Sequence, residues 1–189
     1  MTDLPVENII ASTRYWLSQT VIGYNFCPFA RREFVRNTIN YTVSSSNSIE
    51  PVLYELVDEL TTLEQNPNIE TILIILPQGF NSFDDYLDLV DYSNQLLERL
   101  EYTGVYQIAT FHPDYCFDGL ETDDPANYTN RSPYPMLHIL REASLDRALD
   151  NYDDPESIPE NNIKLAREKG GATFKDILKR SLKTKPESL

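Results

Sequence analysis

The run Thr71–Leu76, TILIIL, constrains the fold of this chain more than any other stretch. A strand with one wet face alternates polar and apolar residues. A run that is apolar throughout is what a strand covered on both faces looks like. Two more strands are expected, at Thr38–Val43, where Ile39, Tyr41 and Val43 alternate with polar residues, and at Val105–Phe111. Helical spacing fills the intervals: Val52, Leu56, Leu60 and Leu63 share one face of Ser46–Leu63, and Phe83, Leu87, Val90 and Leu97 precede a stop near Gly104. Strand–helix–strand–helix–strand with crossovers of this length implies two right-handed βαβ units. The expected fold is α/β, a small three-stranded parallel sheet (βαβαβ, order 1-2-3) with Thr71–Leu76 in the centre, flanked by N-terminal and C-terminal helices. The N-terminal helix runs from Val6 to Val21, and a short one covers Phe29–Val35. Ser132 and Pro133 supply an N-cap and first-turn pair for a helix reaching Leu149, and two more helices, Pro159–Lys169 and Thr173–Leu182, flank Gly170-Gly171.

At 189 residues the chain is sized for one domain, expected over residues 1–170, with 171–189 as a basic C-terminal tail or short helix. From Ile163 onward there are eight basic and three acidic residues, whereas no Lys or Arg occurs between Arg36 and Arg99. The formal net charge of −14 argues against nucleic acid or an anionic membrane as the main partner, because both are bound through cationic surface. The expected partner is a small-molecule substrate or ligand. MTDLPVENII carries an acid where a signal peptide needs Lys or Arg, and two cysteines form no closely spaced framework, so the protein is expected in the cytoplasm with reduced thiols.

Ligands of open parallel sheets gather beyond the carboxyl ends of the strands. After Phe111 the chain has more than twenty residues without periodicity, and both histidines lie in this stretch or just after it. His138 and Glu142, four apart on the expected helix, would share a face, and His112 at the strand end would complete two imidazoles and a carboxylate for zinc or iron. The plain structural alternative is a strand cap and an ordinary helix pair. Cys27, at the start of the short helix and beside Arg31 and Arg32, is a candidate thiolate nucleophile or fourth ligand, or else a small buried apolar residue. Asn127, Asn130, Arg131 and Ser132, just before a helix start, could hold an anion with free backbone N–H groups. Arg141 could orient the same anion, and Tyr115 could line the pocket.

The motifs YNFCPFARR, FHPDYCF and NYTNRSPYPMLHILREAS closely resemble those of the bacterial family known as domain of unknown function family 1415, over about Tyr15–Gly170. The resemblance implies membership and carries no activity with it. It places Cys27, Pro28, His112, Pro113, Tyr115, Asn127, Asn130, Arg131, Pro133, Pro135, His138, Arg141 and Glu142 in the family signature. The leading functional expectation is a small metal-dependent enzyme acting on a small anionic substrate. It would use His112, His138 and Glu142 as ligands, with Cys27, Arg131 and Arg141 as catalytic groups. The alternatives are a metal-free thiol enzyme using Cys27 and a non-catalytic module that binds a small ligand or peptide.

Overall fold

A computed structural model describes residues 4–150 and 154–186. The chain begins with α1 (Val6–Trp16), which runs on into a π-helical turn over Leu17–Val21 closed by the Ile22 N–H on the Leu17 carbonyl at 2.9 Å. It continues through α2 (Ala30–Arg36), β1 (Ile39–Val43), α3 (Ile49–Gln65), β2 (Thr71–Ile75), α4 (Phe83–Arg99) and β3 (Tyr106–Phe111). A long loop with a 3-10 turn at Pro125–Thr129 follows, then β4 (Met136–Arg141), α5 (Glu142–Leu149), α6 (Ile158–Lys169) and α7 (Gly171–Ser181).

The sheet has four strands in the order β1-β2-β4-β3. β1 and β2 pair in parallel, as expected, but β4 lies between β2 and β3 and is antiparallel to both. This corrects the three-stranded parallel sheet: β3 keeps the direction of β2 but does not touch it, and the helix expected from Pro133 begins only at Glu142. Two physical facts explain the difference. Pro135 disfavours the α conformation at Tyr134, so the chain enters Met136 extended. A strand covered on both faces shows no alternation, so MLHILR offers leucines at helical spacing although Met136, Leu137 and Ile139 are all buried in the sheet.

Helices α3 and α4 cover one face of the sheet. There Val52, Leu56, Leu60, Tyr86 and Leu89 meet Ile72, Ile74, Leu137 and Ile139. The other face, carrying Leu73, Ile75 and Met136, lies under Ile9, Trp16, Leu17 and Val21 of α1 and its π turn. Each such side chain contributes about 1.5–3 kcal/mol on leaving water. A third cluster joins Phe26, Tyr128, Ala166, Phe174 and Ile177, so α7 is packed into the body of the molecule and does not trail from it as a tail. Among the described residues no helix is long and apolar enough to cross a membrane.

Candidate functional site

The face of the sheet under α1 is not fully covered. Register places Leu73 of β2, His138 of β4 and Ala109 of β3 in one row across the strands, and the small Ala109 leaves space beside the imidazole. Over this row lies a cavity of about 610 Å³. Its walls are Trp16, Leu17 and Val21 from α1 and the π turn, the Cys27–Ala30 segment, and Leu145 and Ala148 of α5. The π turn is what aims the Cys27 segment here. Its Val21 carbonyl accepts from the Phe26 N–H at 2.9 Å and the Cys27 N–H at 3.5 Å.

The polar floor is a short relay. Thr71 Oγ1 donates to the Ile139 carbonyl at 2.5 Å and therefore accepts from His138 Nε2–H at 2.6 Å. This assigns the imidazole proton to Nε2 and leaves Nδ1 as a bare acceptor. The hydrogen bonds among the described residues include none to Nδ1, and the His138 side chain lines the cavity. Burial disfavours the imidazolium and pushes the His138 pKa down to about 4, so the ring is neutral near pH 7. Thr71, the one polar residue of TILIIL, lies on the cavity face; its singularity in that run is the signal by which sequence could have found it.

Cys27 reaches the site, but not as the thiolate expected from its place before a helix. Burial pushes its thiol pKa up, and the Phe29 and Ala30 backbone groups, which pull the other way, do not compensate. Arg31 and Arg32 are exposed; Arg32 pairs with Glu33 at 3.3 Å on the cavity rim.

The expected metal triad does not converge. Along β3 side chains alternate, so Phe111 faces the cavity side and His112 the side of α3 and α4. His112 is fully buried between Phe83 and Tyr86, donates from Nε2 to the Phe80 carbonyl at 2.9 Å, and accepts the Asp114 N–H on Nδ1 at 3.0 Å. Burial lowers its pKa, and both ring nitrogens are engaged. Glu142 lies at the far end of β4, where its N–H bonds the Val105 carbonyl at 3.0 Å. That is the length of a strand, on the order of 17 Å, from the edge where His112 sits. His138 belongs to β4, so it shares no helix face with Glu142. No group of three His, Cys, Asp or Glu suited to an ion occurs among the described residues.

The remaining expected site residues fasten the long loop. Buried Asn127 accepts the Phe117 N–H at 3.0 Å and donates to the Glu121 carbonyl at 2.9 Å. Arg131 donates to the Tyr115 and Thr122 carbonyls at 3.0 and 2.7 Å and stacks over Tyr128, while its own carbonyl accepts from Trp16 Nε1 at 2.9 Å. Asn130 donates to the Thr110 carbonyl at 3.0 Å, and Ser132 to that of Tyr134 at 2.5 Å. Tyr115 packs its ring on Phe83 and Phe117. Arg141 lines the cavity with part of its chain, but its guanidinium leaves the site to bond the Leu63 and Ile69 carbonyls at 2.5 and 3.1 Å, pinning the α3–β2 turn. The side chains of Asn127, Asn130, Arg131, Ser132 and Arg141 thus serve main-chain partners, a common use of polar side chains beside irregular backbone.

Fold and cavity together define a mixed α/β domain with a chamber between its sheet and its N-terminal helices. The chain belongs to the DUF1415 family, described as protein of unknown function, whose pattern matches residues 8–176. Comparison with curated proteins and with solved structures yields no match.

Proposed function

We propose that this protein binds a small, mainly apolar molecule in the cavity over Leu73, Ala109 and His138. The observation that carries the reading is the cavity itself. At about 610 Å³ it falls in the range of small-molecule sites, its walls are predominantly aromatic and aliphatic, and a few polar groups converge on its floor. Of the functions anticipated from sequence, this favours the small-ligand module. A titration of purified protein with Nile red, a neutral apolar dye, tests it. Saturable fluorescence enhancement is expected, weakened at least tenfold by Ala148→Trp, which adds bulk to the chamber from α5 and changes no residue of the sheet. Unchanged dye binding by a folded Ala148→Trp protein would place the dye elsewhere and defeat the proposal.

A second reading, thiol chemistry, is favoured by one observation: Cys27 and His138 line the same cavity. In it the Cys27 sulfur adds to the β-carbon of a bound conjugated carbonyl compound, forming a C–S bond as the carbon–carbon π bond breaks, and the thiol proton passes by way of His138 Nδ1 to the α-carbon. Mass spectrometry after incubation with a small apolar electrophile supports this reading only if the adduct on Cys27 forms more slowly in His138→Phe.

A further inference from the structure

Two hydrogen-bond acceptors contributed by residues of the cavity lining have no partner among the described residues. Nδ1 of His138 is a lone-pair acceptor for which the described residues provide no donor, on a half-buried side chain that lines the chamber. At the same floor, Glu70 Oε1 is buried with no hydrogen-bond partner among the described residues. The donors nearby are engaged: the Thr71 hydroxyl with the Ile139 carbonyl, the Arg141 guanidinium with Leu63, Ile69 and Tyr106, and Arg147 with Ser144. A molecule filling the chamber would bury Nδ1 and leave it unsatisfied unless it brought a donor, whereas an anion brought to the same floor would meet a lone pair and a carboxylate.

Resting on the proposed binding function, we infer that the cavity selects apolar molecules carrying a neutral hydroxyl or N–H donor. His138 is the residue that reads this donor through Nδ1. The ligand class is thus a hydroxylated or N–H-bearing ring or short-chain compound, and an apolar carboxylate bound by the same ring end is disfavoured. Thr71 is a positioning residue in this scheme. By taking the Nε2 proton as a hydrogen bond it keeps Nδ1 bare and the ring plane in place.

Two probes of nearly equal size, 2-naphthol and 2-methoxynaphthalene, separate the donor from the apolar body. Calorimetric titration of the full chain is expected to show 2-naphthol binding about tenfold more tightly, the size of effect one hydrogen bond to a buried acceptor produces. In His138→Phe, which keeps a ring and removes the acceptor, that ratio should fall to about one while 2-methoxynaphthalene affinity stays within about twofold. Nitrogen-15 spectra of the imidazoles in the unsubstituted protein provide a readout that does not depend on the variant folding. The Nδ1 resonance of His138 should have the unprotonated position in the free protein and move on adding 2-naphthol but not 2-methoxynaphthalene. Equal affinity of the two probes, a preference that survives His138→Phe, or an unmoved Nδ1 resonance in the presence of bound 2-naphthol would overturn the donor assignment while leaving the cavity reading intact. Failure of both probes to bind would instead overturn the cavity reading, and this inference with it.

Discussion

His138 and Asn127 illustrate how two polar residues of adjacent motifs come to do different work. The His138 pKa lies near 4 when folded against an ordinary value near 6.5, so between these values the unfolded chain takes up a proton that the folded chain refuses. Stability therefore falls as pH drops through 6.5 toward 4, by about 3 kcal/mol from this group when the interval is complete. Urea denaturation at pH 7 and pH 4 should show a smaller acid-induced loss in His138→Phe than in the unsubstituted protein; equal losses would refute the neutral assignment. Asn127 is closed on both sides by main-chain groups. Asn127→Ala leaves the Phe117 N–H and the Glu121 carbonyl without it, and a loss of about 2–4 kcal/mol is expected in the same denaturation experiment. Gly79 has a backbone requirement of another sort. Its φ is +87°, and a Cβ there would stand 2.4 Å from the Asn47 carbonyl oxygen, where the loops after β1 and β2 meet. Gly79→Ala should lower the thermal midpoint by several degrees, since both strain and overlap oppose it.

Among the elements, α7 and β4 depart furthest from what their residues alone suggest. α7 is basic and amphipathic, which reads as a short surface helix, yet Phe174 is 1% exposed and Ile177 4%. Phe174 touches Tyr24, Phe26 and Tyr128, so α7 ties the N-terminal segment to the long loop. Deleting residues 171–189 should therefore lower the thermal midpoint sharply, and Phe174→Ala alone should cost about 3–5 kcal/mol. A midpoint unchanged by the deletion would show that α7 merely rests on the surface. β4 was concealed because Leu140, Leu145 and Leu149 stand three, eight and twelve residues beyond Leu137, on one face of a helix, while the two prolines before Met136, the second of which favours an extended Tyr134, carry no periodicity of their own.

At the scale of the whole molecule, the cavity exists because one face of the sheet is closed by two full-length helices and the other by α1, a π turn and α5, a helix with no buried residue. A bound molecule would fill the gap and stand over Cys27, whose buried thiol has a raised pKa. Alkylation of Cys27 at pH 7, followed by peptide mapping, should accordingly be slow and become slower still in the presence of saturating 2-naphthol, with the thermal midpoint rising in parallel. Labelling of Cys27 that ignores the ligand would place the ligand outside the chamber. The periodicities of α1, α3 and α4, the parallel β1–β2 pair and β2, apolar at every position but Thr71, were legible from residue types, because each depends on contacts a few positions apart or on burial of an entire element. So was membership of the family, whose pattern matches residues 8–176. What the polar residues after Phe111 do was decided only by tertiary structure. Whether His112 and His138 meet depends on strand parity and on β4 entering between β2 and β3, and whether Arg131 and Asn127 await a ligand depends on which main-chain groups the loop leaves unpaired. Local sequence sets the period of an element. The face a side chain occupies and the partner it finds are set by register and neighbours far away in the chain, which no local period encodes.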